Sequence, residues 1–299
     1  MKHVPVLAVF AIAGWLAPSV FAQAPLPAQP PPPPNAAAQN APSYPPAEIE
    51  RLVSPIALYP DPLLAQVLAA ATFSEDIPDA AQWANEHHYL SGGQMAAAIA
   101  ADRVPWDPSV QALLPFPTVL DMMASDMPWT QELGSAFLAQ SADVMDAVQA
   151  NRRKASSYGY LRSNGQVIVR NGPYVEILPV NPAFIVVPYY DPLIVFLPPR
   201  RGFAVVSAIS FGFGVRLGVG FEPWGWGASR FGWQTHTLFI NNAPWGRTWV
   251  NRAVYVHPYS VPRYRQAPRP PDGHRLVPRT SRERDDERAG RKGKEEHQR

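Results

Sequence analysis

Two copies of one short pattern carry phenols and carboxylates side by side: Tyr59-Pro60-Asp61-Pro62-Leu63 and Tyr189-Tyr190-Asp191-Pro192-Leu193 share Tyr-x-Asp-Pro-Leu. An Asp-Pro pair starts a turn or a helix, because the carboxylate accepts backbone N–H groups and proline suits the first helical position. The Tyr before it then staples the incoming chain. The second reading makes Tyr59, Asp61, Tyr189 and Asp191 two exposed ligand sites. A metal-like cluster falls at Glu86-His87-His88. Adjacent side chains on a helix diverge by about 100°, so His87 and His88 face one ion only if the helix breaks. With Asp79 and Trp83 eight and four residues before His87, the triplet reads as a solvated helix end, and no metal site is expected. Arg230, Arg247 and Arg252 interleave with aromatic residues, a pattern suited to a polyanion. His236 and His257 have no acidic neighbour nearby in sequence.

Beyond these residues the usual signatures are missing. There is no Gly-x-Ser-x-Gly elbow, no His-Glu-x-x-His pair, no phosphate-cradling glycine loop and no cysteine to act as a nucleophile. Gly212-Phe213-Gly214 is followed by Leu217 where a dinucleotide fingerprint needs glycine. Carboxylates are plentiful, but none pair off for acid–base work. The chemistry that remains is that of a non-enzymatic interaction or scaffold module requiring no cofactor. The alternative is a cell-envelope glycan-acting enzyme built on carboxylates of the N-terminal half.

The address comes from the first 22 residues. Met1-Lys2-His3 is a basic start, residues 4–16 are an apolar run, and Val20-Phe21-Ala22 places small or β-branched residues before Gln23, the pattern of a cleaved secretory signal. The run of about 13 residues falls short of the roughly 20 a spanning helix needs. With no cysteine there is neither a disulfide nor a lipid-bearing thiol, so an exported chain, periplasmic or outer-envelope associated and not a lipoprotein, is expected.

The elements that must position these residues lie between two arms. Residues 23–46 hold ten prolines, five of them consecutive at 30–34, and read as a polyproline or disordered linker. Residues 260–299 read as a disordered charged tail, with 12 basic and 7 acidic residues from Arg263 onward and little apolar content. The fold expected between them is α+β: a bundle of five or six short helices, then an antiparallel β-meander.

Residues 47–155 form the helical part. Asp61-Pro62 and Asp107-Pro108 open helices, the first with Leu63, Leu64, Val67, Leu68 and Ala71 on one face. Trp129, Leu133, Phe137, Val144 and Val148 recur at helical spacing, and Arg152-Arg153-Lys154 close that helix where cations suit the dipole.

Residues 156–259 form the β part. Asn164-Gly165 and Asn171-Gly172 are tight-turn signals separating strands at 158–162, 166–170 and 174–178, and 184–187 and 193–197 continue the meander. Residues 209–221 alternate large apolar side chains with Ser, Gly and Arg, as one strand with a bare face. Tryptophans that follow, from Trp224 to Trp249, are expected to cover that face. Arg216 and the period of two exclude a membrane span at 203–221.

Charge divides the chain as sharply. Residues 48–151 carry 14 acidic and 2 basic groups, while residues 152–262 carry 11 basic and 3 acidic, so a net charge of +2 conceals a dipolar molecule. Opposite fields favour packing of the halves on each other, or an external partner: an envelope protein or an anionic envelope polymer. Export makes nucleic acid an unexpected partner.

The run Leu52-Val-Ser-Pro-Ile-Ala-Leu-Tyr-Pro-Asp-Pro-Leu-Leu-Ala-Gln-Val-Leu-Ala-Ala-Ala-Thr-Phe73 resembles the opening of the bacterial domain-of-unknown-function 3300 family. So do Trp106-Asp-Pro-Ser-Val-Gln-Ala-Leu-Leu114, Ala136-Phe-Leu-Ala-Gln140, Asp143-Val-Met-Asp-Ala-Val148 and Val187-Pro-Tyr-Tyr-Asp-Pro192, over about residues 49–257. The resemblance implies an exported protein of Gram-negative bacteria and brings no catalytic residue with it.

Overall fold

The computed structural model describes residues 40–199, 208–257, 259 and 261. The leader, most of the Pro-rich segment and the charged tail lie outside the described residues. The described chain is α+β, as its patterning implies. Helices come first: α1 (Pro46–Val53), α2 (Asp61–Ala71), α3 (Ile77–Glu86), α4 (Gly92–Asp102), α5 (Pro108–Gln111), α6 (Pro117–Ser125), α7 (Met127–Ala139) and α8 (Ser141–Ser157).

Proline occupies an early position of six of these, where its missing N–H costs nothing. Helix α2 is apolar all round rather than on one face, and every one of its residues is buried. It runs through the middle of the molecule, with α5 and α7 packed against it. The periodic stretch from Trp129 to Val148 is two helices, not one. Gln140 breaks it at φ −138°, and the Gln140 side chain instead accepts from Tyr44 N at 2.7 Å, tying the incoming chain down.

The second half is less regular than a meander. Strands β1 (Val167–Asn171) and β2 (Val175–Pro179) pair antiparallel around Asn171-Gly172, the expected hairpin. Residues 158–162 add no third strand, because the edge of β1 is already occupied. Ser163 Oγ accepts from Val169 N at 2.9 Å, and Asn164 folds back on Gln166 N and Val167 N. The chain continues through β3 (Phe184–Ile185) and β4 (Pro188–Tyr190), and residues 193–197 do not continue the sheet. Pro192–Val195 is a helical turn, α9, capped by Asp191.

Nor is 209–221 one strand. Strand β5 (Ile209–Phe211) pairs with β4 and β6 (Val215–Arg216) with β3, after which Gly218 at φ 63° turns the chain into a 3₁₀ segment, Val219–Trp224. Strands β7 (Arg230–Gly232), β8 (Thr237–Ile240) and β9 (Ala243–Pro244) form a last antiparallel sheet, with the 3₁₀ turn Trp233–Thr235 between the first two.

The halves share one core. The tryptophans expected over the glycines of their own strand go to the helices instead. Trp224 donates to Gln111 Oε1 at 3.1 Å, Trp226 donates to Ala112 O at 3.1 Å, and the Trp226 ring lies 5.1 Å from Phe116. Of the bare face, Gly220 backs onto Gly92 and Gly93 at the start of α4, while Phe213 and Val219 are exposed. Val261, just past the expected start of the tail, is buried in this core.

The closest backbone approach is α7 on α2. A Cβ on Gly134 would sit 2.1 Å from Ala71 O. Neither backbone can yield without disturbing the central helix, so Gly134→Ala should lower stability by at least about 2 kcal/mol. Chemical denaturation of that variant measures it; an unchanged midpoint would mean α2 and α7 are not locked together.

Candidate functional site

Burying α2 whole leaves its terminal peptide groups and Asp61 without water, so each end needs partners from elsewhere. At the first end, Asp61 does not cap its own helix. Its Oδ1 accepts from Arg152 Nη1 at 2.6 Å, and Ile177 N and Trp233 Nε1 each point at the carboxylate from 3.4 Å. Arg152 is not a dipole-facing cation at a helix end, since α8 continues to Ser157 and its guanidinium is 0% exposed. It also donates to Ala57 O (2.8 Å), Tyr59 O (2.9 Å) and Val175 O (2.9 Å), and lies over the Trp233 ring at 5.1 Å. The neighbouring cation Lys154 pairs with Glu50. Tyr190, from the second Tyr-Asp-Pro copy, closes the same loop by donating to Ser54 O at 2.8 Å and accepting from Leu58 N at 3.2 Å. Burial pushes the Tyr59 and Tyr190 phenols above their ordinary value, so both stay protonated.

At the other end of α2, Arg247 donates to Thr72 O and, at 2.9 Å, to Thr72 Oγ1, with its guanidinium 3.5 Å from the centre of the Phe73 ring. A cation on the last carbonyls complements the helix dipole. Beside it, His257 Nε2 lies 2.6 Å from Asp107 Oδ2, both side chains 5% exposed. Asp107 Oδ1 accepts from Ser109 N at 2.9 Å and Ser109 Oγ at 2.6 Å, and Asp107 N reaches Asp76 Oδ2 at 3.3 Å. Phe73, Trp245, Tyr255 and Tyr259 surround the imidazole at 5.1–5.9 Å between centroids.

Serine, aspartate and histidine therefore meet, but in the wrong order for nucleophilic catalysis. The carboxylate stands between Ser109 and His257, so the imidazole does not receive the Ser109 proton. His236 likewise finds an acid, Asp146, at 2.9 Å.

The remaining sequence candidates divide by exposure. Tyr59, Asp61 and Arg247 are buried, so the first Tyr-Asp copy is no exposed ligand site and Arg247 offers no open charge. Tyr189 is 69% exposed, and Asp191 spends its carboxylate on Leu193 N. Arg230 and Arg252 are exposed, lying over Phe239 and Trp249 at 4.5 and 3.8 Å. His87 stacks on Trp83 at 4.0 Å while His88 Nδ1 turns back to Asn85 O, so the two imidazoles do not converge. An open cavity of about 250 Å³ lies between Gly165, Gln166, Val180 and Phe184.

The family model described as a protein of unknown function, DUF3300, matches residues 45–257 and so takes in both ends of α2 and their hydrogen-bonding partners, but not Tyr259. The chain belongs to the DUF3300 family. A similar protein is the Escherichia coli (strain K12) uncharacterized protein YacH, 34% identical over 218 residues, which cover 58% of this chain and 35% of YacH. The chain thus spans about a third of that relative's length. No solved structure matches. The DUF3300 region includes Arg152, Arg247 and His257. Among the described residues, no helix is long and apolar enough to cross a membrane.

Removing one partner of the buried pair leaves an uncompensated charge or orphaned carbonyls. Arg152→Met is expected to cost about 3–5 kcal/mol, and adding Asp61→Leu should recover part of it. Urea titrations of the single and double variants decide this; a single variant within 1 kcal/mol or so of wild type would remove the pair from the centre of the fold.

Proposed function

We propose that this protein is exported to the cell envelope and works there as a non-enzymatic interaction module. The observation that carries the reading is the occupation of its deepest ionic groups. Asp61, Asp107, Arg152 and Arg247 hold peptide groups and each other, and Asp107 has both oxygens engaged. The groups left facing outward suit contact rather than chemistry: Tyr189, Leu193 (77% exposed), Ile194 and Leu197 around α9, and Phe213 beyond β5. Apolar side chains exposed along one short turn, as Leu193, Ile194 and Leu197 are, suit a protein-binding surface. Export is supported by the basic start, apolar run and Val20-Phe21-Ala22 of the leader, and by the absence of cysteine. Arg230 and Arg252 remain open to an anionic polymer; Arg247 does not.

Expression in a Gram-negative host tests both parts. The recovered protein should begin at Gln23, and a photo-crosslinker at Leu193 should capture an envelope component, with capture lost on Tyr189→Ser/Ile194→Ser. Recovery with Met1 intact in the membrane fraction contradicts export. Clearing of purified cell wall by the pure protein, abolished by Asp76→Asn, contradicts the non-enzymatic role and supports the glycan-acting alternative.

A further inference from the structure

The segment that follows β9 is tied down at several points yet leaves polar atoms unused. Trp249 N donates to Leu138 O at 2.8 Å, Arg247 holds Thr72, His257 holds Asp107, and Val261 is buried. Within it, Trp245, Tyr255 and Tyr259 are half-buried around a His257 side chain that is 5% exposed. Their rings form a cluster on the imidazole: Trp245, Tyr255 and Tyr259 stand 5.1, 5.3 and 5.1 Å from it, with Phe73 beneath at 5.9 Å and 28°.

Trp245 Nε1, His257 Nδ1 and Tyr259 OH are nevertheless buried and lack hydrogen-bond partners among the described residues. Buried polar atoms left over in this way point to an absent partner. Their chemistry defines it. The Asp107 carboxylate accepts from His257 Nε2, so Nδ1 is the imidazole nitrogen left over. The indole N–H donates only, and the Tyr259 phenol, held protonated because burial raises its pKa, does both. A group that both accepts and donates can meet all three atoms, and a hydroxyl does both.

We propose that Trp245, Tyr255, His257 and Tyr259 form a saccharide-binding platform that takes a neutral, hydroxyl-rich sugar unit of an envelope glycan. The apolar C–H face of a pyranose covers the aromatic rings, and its hydroxyls reach the three unused atoms as the rings reorient around them. Arg247 under Phe73 and Asp107 behind His257 act as positioning residues. The inference rests on an envelope location for the chain and adds a second ligand to the module, separate from the apolar surface around α9.

Titration of the full chain with N-acetylglucosamine trimer and with maltotriose, followed by calorimetry and tryptophan fluorescence, tests it. Saturable binding of at least one is expected. Tyr259→Phe and Trp245→Phe keep an aromatic ring but remove the unused polar atom, and each should weaken binding about 10-fold. Because the Tyr259 hydroxyl makes no hydrogen bond within the described protein, Tyr259→Phe should keep the wild-type unfolding midpoint, while Trp245→Phe also loses ring packing and is read at a temperature where it stays folded. No saturable binding of either sugar below roughly 10 mM, or binding that both variants leave unchanged, overturns the proposal. If the crosslinker at Leu193 still captures its partner in that case, only the saccharide platform falls.

Discussion

A helix buried on every side has to borrow its end groups' partners from the rest of the chain, and the remaining structure is arranged around lending them. Helix α2 is such a helix. Its N-terminal end presents a buried carboxylate, its C-terminal end presents buried carbonyls, and a lone desolvated charge costs several kcal/mol. Arg152 reaches the first end from α8 and brings Val175 of β2 and Trp233 with it. Arg247 reaches the second end from beyond β9. Mid-helix, Gln66 donates to Trp224 O at 2.8 Å. The irregular, aromatic-rich half is thus placed by hydrogen bonds to α2 rather than by its own short ladders.

This arrangement also joins the acidic and the basic half of the chain. Asp107 with His257 and Asp146 with His236 are acid–imidazole pairs spanning the two halves, 150 and 90 residues apart in sequence. Part of the opposite charge is consumed between the halves by Arg152 with Asp61 and Lys154 with Glu50, and the exposed Arg230 and Arg252 are stacked on aromatic rings. The same contacts that close the fold leave the outward surface apolar around α9 and aromatic around His257. The two proposed contacts, one with a protein and one with a sugar, rest on these surfaces.

Much of the fold was legible locally. Asp107-Pro108 starts α5, Asn171-Gly172 turns the β1–β2 hairpin, and the helical and β-type stretches fall where composition puts them. What escaped was non-local. Arg152 reads as a dipole-facing cation because its partner lies 91 residues away. The alternation over 209–221 reads as one strand because nothing in a period of two reveals that its halves pair with different partners. The site was less legible than the fold. Arg247 shows its aromatic neighbourhood in sequence but not that Phe73 and Thr72 enclose it. His236 and His257 read as unpartnered because no acid stands near them along the chain. Of the three Asp-Pro pairs in the family-like motifs, those at Asp61 and Asp107 hold the buried carboxylates and that at Asp191 does not.

If α2 is the shared support, the two halves have no independent stability, and opening one requires opening the other. Native-state hydrogen exchange measures this directly, amide by amide. The protected amides of α2 and those of the β7–β8 ladder should exchange with one common opening free energy, equal to that of global unfolding. A β7–β8 ladder that opens through a separate, lower-energy step while α2 stays protected would contradict the account.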